Sequence, residues 1–327
     1  MVASEAIVAN NRAFASQHRE DDGIVGVFAG ATSGIGARTL ERMMTIYRAP
    51  TFYVLGRSSI SFAVQRKTLE ALNPDANIIF IETDVALISG IDSACQMIKA
   101  SEKKVDYLYM SPGGLPRWGA QYTKEGLETS FAISYLSRVR LLFNLLPLLN
   151  RSARPRVLSV LNGGREKKIN EQDIGLEKKW TLMSLVNHTT ILNTITFDGI
   201  AAKNPNITLI HNAPGLVESD NGRRKHPPPG ASLFRRVISK VSTLLFVVVR
   251  LFIGMYPAEA GERQTYHLTS DRYGPGSLRV DRSSEIVPDN GAVKLYKDGD
   301  WDEKFWQFTL ETWDKALSTY NREEYET

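Results

Sequence analysis

Val25-Gly26-Val27-Phe28-Ala29-Gly30-Ala31-Thr32-Ser33-Gly34-Ile35-Gly36 is the stretch whose reading decides the fold. An apolar strand runs into a glycine-rich turn, and a helical pattern follows. The glycines stand as G-x-x-x-G-x-G. Gly30 permits the sharp turn, Gly34 removes a side chain where a pyrophosphate approaches the backbone, and Gly36 lets the helix pack close to the strand. The first amides of that helix then face the phosphates, with the positive end of the helix dipole behind them. The strand-before, helix-after context is what turns a glycine pattern into a nucleotide-binding expectation. A glycine-rich structural turn is the bland alternative.

Outward from this loop, apolar runs alternate with helical patterns. Strands are expected at 24–29, 51–55, 77–81, 105–110, 156–161 and from 207. Helices are expected at 5–20, 34–47, 61–72, 86–103 and 124–150. The short, continuous apolar runs suit strands buried on both faces of a parallel sheet. The chain has 327 residues and 43% hydrophobic content, enough for one large α/β domain. The net charge of +4 is small and dispersed, which argues against a nucleic-acid partner. Cys95 is the single cysteine, so an intrachain disulfide and a cysteine metal site are excluded and no metal is expected. The acidic N-terminal segment does not read as a secretory signal, and a reducing, cytoplasmic setting fits.

The glycine spacing resembles the short-chain dehydrogenase/reductase family, whose loop reads T-G-x-x-x-G-x-G; Ala29 stands at the threonine. The resemblance implies a Rossmann-type doubly wound parallel sheet, an α/β fold. The domain is expected over 23–275, preceded by a leading helix at 1–22 and followed by a C-terminal extension at 276–327. Gly30, Thr32, Ser33, Gly34, Ile35 and Gly36 would hold the cofactor. An NAD-selective site needs a carboxylate about 20 positions beyond the last glycine, to bond the ribose 2′-hydroxyl. That place is Gly56, and Arg57 follows, able to take a 2′-phosphate bidentately. NADP(H) is therefore the expected cofactor, unless Arg57 is only a solvated surface charge. Asp84 matches the family's adenine-contacting Asp, and it also suits a helix N-cap. Met110-Ser111-Pro112-Gly113 stands where the family has N-N-A-G, so that only Gly113 keeps its place beside the ribose. Ala213-Pro214-Gly215-Leu216-Val217 matches the family's nicotinamide-contacting turn through Pro214 and Val217.

The catalytic places depart further. Phe131-Ala132-Ile133-Ser134 aligns with F-x-V-N and puts Ser134 at the tetrad Asn, with the helix kink that the Asn supports in question. Asn162 takes the family's substrate-orienting Ser, either donating to a carbonyl oxygen or simply opening a turn before Gly163 and Gly164. Counting back from Pro214, Y-x-x-x-K lands on Ser184 and His188. His188 is then either the proton donor, directly or through Ser184, or a residue that bonds ribose or packs in its helix. A gap in the count would instead place Trp180 and Ser184 there. The segment 165–180 is rich in charge and reads as a solvated loop.

An apolar substrate lid is expected at 220–256, centred on 237–256, with a membrane-surface helix as the alternative because Lys240 and Arg250 interrupt the run. Pro257 opens a helix, Asn290-Gly291 suits a turn between short strands, and aromatics from Trp301 to Trp313 mark a final helix serving core or subunit interface. The overall pattern, including Gly163-Gly164-Arg165-Glu166 after the fifth strand and Gly261-Glu262-Arg263, resembles a divergent fungal branch associated with secondary metabolism. They imply an NADP(H)-dependent oxidoreductase for a carbonyl or alcohol of an apolar small molecule. A redox-neutral cyclase or isomerase, or a nucleotide-binding protein without hydride chemistry, is the competing expectation, because all four tetrad places are substituted.

Overall fold

A computed structural model describes residues 1–114, 116, 119–215, 217 and 255–326, with side chains to residue 319. The expected lid falls outside the described residues except for Met255 and Tyr256. Seven strands form one sheet: β1 (Val25–Ala29), β2 (Thr51–Gly56), β3 (Asn77–Glu82), β4 (Tyr107–Met110), β5 (Arg156–Val160), β6 (Thr208–Asn212) and β7 (Gly276–Val280). All neighbours are parallel, in the order β3-β2-β1-β4-β5-β6-β7. The order reverses direction between β1 and β4, the place where open α/β sheets leave a crevice beyond their strand ends.

Alternation along the strands explains the two-sided core. Val25, Val27 and Ala29 point to one face, where they pack with α4 (Ile88–Ser101), α5 (Thr129–Leu149) and α6 (Leu182–Lys203). Phe28 points to the other face and meets Leu40, Met43 and Met44 of α2 (Gly34–Met44). On that face α1 (Ser4–His18) packs beside α7 (Pro257–Thr269), tied by Asn11 Nδ2 to Glu262 at 2.7 Å. α3 (Ser59–Leu72) buries Phe62 and Leu69 there as well. Helix α5 has the length and composition of a membrane span, yet it is a core helix of the sheet, with Leu141, Leu142 and Leu145 buried.

β7, at the start of the expected C-terminal extension, pairs with β6 from Thr208↔Gly276 to Asn212↔Val280. Two expectations are corrected. Asn290 is no hairpin turn. Its side chain caps α8 (Gly291–Asp298), accepting from Ala292 N at 3.0 Å and Val293 N at 3.1 Å. Helix α5 starts at Thr129 rather than near 124, because Glu128 is its N-cap and accepts from Phe131 N at 2.7 Å. The terminal aromatics lie in α9 (Trp301–Glu326), where Phe305 and Trp313 are fully buried in the core of this same chain.

Candidate active site

A cleft of about 750 Å³ opens at the switch point between β1 and β4. Its floor is the glycine loop. A Cβ on Gly30 would lie 2.3 Å from Pro112 N, and one on Gly36 would lie 2.3 Å from Gly30 O. Gly30 also sits at φ +79°, where a side chain is strained. The loop is thus held at glycine by backbone on two sides. Helix α2 begins without a side-chain cap from Ser33 and without an acidic residue in its first turn, so its leading amides keep their bonding capacity toward an anion. Gly30, Thr32, Ser33, Gly34, Ile35 and Gly36 all line the cleft, as expected.

Arg57 and Asp84 line the same cleft at the ends of β2 and β3. Arg57 is exposed and has no ion pair among the described residues. Asp84 does not cap the helix after it. The carboxylate of Glu125, itself buried, accepts from Ile88 N at 2.6 Å and Ser89 N at 2.9 Å and caps α4 from outside. Asp84 accepts only from Ala86 N, at 3.0 Å through Oδ1, and stays exposed at the cleft wall. The capping role that sequence offered Asp84 therefore falls to Glu125. Across the strand pair, Glu82 is held by the amide and hydroxyl of Ser59, which lower its pKa.

Toward β4, β5 and α5 the cleft is lined by Ser111, Pro112, Gly113, Thr129, Ser130, Ile133, Ser134, Val160, Leu161 and Pro214. The helix kink expected to suffer from Ser134 is present as a π turn over Ala132–Leu136. A π turn displaces the carbonyl ladder, and the displaced carbonyls need other donors. Arg138 Nε supplies one to Ile133 O at 3.2 Å, and Asn193 Nδ2 supplies one to Ser134 O at 2.8 Å. Ser134 is thus in the cleft, with its carbonyl already bonded.

The other three catalytic expectations are corrected. His188 is not in the cleft lining. It is 2% exposed, and both ring nitrogens bond the 165–180 loop: Nδ1 to Ile174 O at 2.9 Å, and Nε2 from Asn170 N at 3.3 Å. Those bonds make it a neutral pin, and burial lowers its pKa. Ser184 lies in the first turn of α6, paired with the N-cap Thr181 at 2.7 Å between hydroxyls. Asn162 turns its Nδ2 to Thr190 Oγ1 at 3.2 Å rather than into the cleft. The count back from Pro214 thus leads to two residues outside the described cleft lining, at the end of a stretch tied down by buried carboxylates. Asp173 accepts from Lys178 N and Lys179 N, and Glu166 accepts from Thr194 Oγ1 and Gly164 N. The segment expected to be a solvated loop therefore has a buried polar interior. Val217 is buried and bridges to Met255, outside the cleft lining, whereas Gly113 and Pro214 line the cleft as expected.

Two groups that sequence reading passed over hold this end together. His211 on β6 accepts from Asn162 N through Nε2 at 3.3 Å and bonds Thr194 Oγ1 through Nδ1 at 2.9 Å. Burial and the nearby Arg138 and Arg279 charges push its pKa down to about 3, so it is neutral. Arg138 is 2% exposed and lines the cleft. Its Nη1 reaches Met110 O, Ser159 Oγ and Val160 O, and its Nη2 reaches Pro112 O at 2.6 Å. The one signal for it was spacing: four residues past Ser134, an arginine sits on the same helix face as that cleft residue.

No protein-family model matches the chain. Among curated proteins it is 32% identical to the oxidoreductase lepF of Aspergillus flavus, over 90% of this chain and 92% of that one. It is 31% identical to the short-chain dehydrogenase/reductase SAT2 of Stachybotrys chartarum, over 63% of this chain and 64% of that one. Among solved structures, YwfH, an NADPH-dependent reductase involved in bacilysin biosynthesis, superposes with a TM-score of 0.59 at 14% identity, covering 84% of this chain and 99% of that one. With the strand order, the glycine cleft and these relatives in agreement, the chain belongs to the short-chain dehydrogenase/reductase family and is an oxidoreductase.

Proposed function

We propose that the protein is an NADP(H)-dependent oxidoreductase acting on a carbonyl or alcohol of an apolar small molecule in fungal secondary metabolism. One observation carries this reading: the capless N-terminus of α2, the exposed Arg57, unpaired among the described residues, and the exposed Asp84 share one cleft wall at the switch point. The wall offers amides for a pyrophosphate, a guanidinium for a 2′-phosphate and a carboxylate for an adenine amine. A nicotinamide nucleotide, when bound, supplies or accepts the hydride. The protein's part is to hold that nucleotide across the strand ends and to present an apolar floor of Pro112, Ile133, Val160 and Leu161 to the substrate. Secondary metabolism is favoured by the biosynthetic role named for YwfH and by the fungal source of lepF and SAT2.

The polar groups from β4 and α5 in the described cleft are the hydroxyls of Ser111, Thr129, Ser130 and Ser134 and the guanidinium of Arg138; no tyrosine, lysine or histidine stands among the described lining residues. A hydroxyl network with water, rather than an activated phenol, is the proton path that this lining favours. Fluorescence titration of the full chain with NADPH and NADH tests the cofactor assignment. NADPH is expected to bind at least tenfold more tightly, and equal affinities would contradict the role given to Arg57.

A further inference from the structure

Arg138 is unusual for a buried arginine. Buried guanidinium groups ordinarily stand opposite a carboxylate, because an uncompensated charge in a low dielectric is expensive to keep. Here every acceptor is neutral: the carbonyls of Ile133, Met110, Pro112 and Val160 and the hydroxyl of Ser159. No carboxylate makes an ion pair with it among the described residues. Glu166, which stands beside His211 Nδ1, is taken by Thr194 Oγ1 and the Gly164 amide. His211 itself is neutral, so it adds no compensating charge. Burial lowers the Arg138 pKa only to about 10, so the group stays cationic at neutral pH.

Its location gives that charge a target. The strand order lays the cleft out from β2 through β1 to β4 and β5. Arg57 marks the β2 end and the α2 amides mark the middle, so the β4–β5 end receives the nicotinamide half. Arg138 bridges the last residues of β4 and β5 under that end. Nη2 has two N–H groups and one acceptor, Pro112 O, and a Cβ on Gly113 would lie 3.9 Å from it. The guanidinium therefore backs directly onto the Gly113 loop that lines the cleft.

We propose that Arg138 is the fixed positive charge of the nicotinamide end and that it biases the site toward the reduced nicotinamide ring over the oxidised one. The reduced ring is neutral and the oxidised ring is a cation, while the rest of the nucleotide is the same. A buried cation nearby disfavours the oxidised ring by Coulomb repulsion that solvent screens little. The site is then set for carbonyl reduction, with the nucleotide as hydride donor. The inference rests on the NADP(H) reading and adds the favoured redox form to it.

Calorimetric titration of the full chain with NADPH, NADP⁺ and 2′,5′-ADP separates the two. The fragment 2′,5′-ADP lacks the nicotinamide and reports the Arg57 end alone. The wild-type protein is expected to hold NADPH more tightly than NADP⁺, on the order of tenfold. Arg138→Met should bring that ratio close to one, Arg138→Lys should keep most of it, and 2′,5′-ADP should bind all three alike. A loss of local packing alone would weaken NADPH and NADP⁺ together and leave their ratio unchanged, which overturns the proposal. A wild-type ratio near one overturns it as well, even if Arg138→Met fails to fold and binds nothing. Wild-type protein that binds NADPH but not 2′,5′-ADP would instead reject the Arg57 assignment, and the ratio would still judge Arg138.

Discussion

The two ends of the cleft are built on different principles. At the β1–α2 end the grip is backbone: glycines at 30 and 36 that leave no room for a Cβ, and amides at a helix start. At the β4–β5–α6 end the geometry is held by side chains: Arg138 across two strands, His211 under Asn162, Asn193 on Ser134 O, and His188 on the 170–174 turn. A backbone site depends on a few glycines and tolerates change elsewhere. A side-chain site can be rebuilt from different residues, provided each buried polar group finds a partner. That contrast fits a first end that keeps the glycine spacing and a second end whose polar residues are pinned to one another beneath the cleft.

The sharpest way to break the comparison is at the backbone end. Gly36→Val would place side-chain atoms against Gly30 O, Ser111 Oγ and the Ala31 Cα. The expected outcome is a loss of about 3 kcal/mol or more, the upper end of core overpacking because the contacts are backbone, read as abolished NADPH binding and a lower melting temperature. Normal NADPH affinity in this variant would show that the loop is not the phosphate site. Next in size is Arg57→Asp. It removes a charge-assisted bond and adds repulsion, so NADPH affinity should fall by roughly 1.5–3 kcal/mol while NADH affinity holds or rises. A parallel drop for both nucleotides would mean that Arg57 does not read the 2′-phosphate.

At the side-chain end the test is acid. His211 has a folded pKa of about 3 against an ordinary value of 6.5. The unfolded chain takes up the proton first, so stability is full above about pH 6.5 and declines as pH falls toward 3. By pH 5 this one group removes about 2 kcal/mol. Denaturant unfolding at pH 7 and pH 5 should show that decline, and His211→Gln should lessen it by about 2 kcal/mol while the share of His267, likewise pushed down to about 3 by burial, persists; an identical pH dependence in the variant would mean that burial does not hold His211 neutral. The smallest effect belongs to His188. As a pin of two backbone groups, His188→Ala should destabilise by about 1–2 kcal/mol, through unsatisfied partners, and leave NADPH affinity within about twofold. A hundredfold loss of turnover with unchanged stability would return His188 to the proton-donor role and refute its reading as a pin.

The parallel sheet, its crossover helices, the glycine loop and the candidates Arg57 and Asp84 were all legible in the chain, because each is a local matter. Strand runs, helical spacing and a glycine count depend on near neighbours in sequence, and their geometry follows from the backbone. The catalytic places were not legible by the same means. A count back from Pro214 assumes a fixed path through 165–180, and that path is set by Glu166, Asp173 and His188, whose partners come from β6, α6 and the loop itself. Asp84's cap role passed to Glu125, 41 positions later in the chain, through contacts that no local pattern encodes. β7 joined the sheet for the same reason: its hydrogen-bond partners are on β6. Sequence by itself determined the order of elements and where a nucleotide's phosphates would lie, since those rest on φ freedom, the missing Cβ and hydrophobic period. Only the tertiary structure decided which polar side chains face the cleft and which are pins beneath it, because that depends on which buried donor finds which acceptor across strands far apart in the chain.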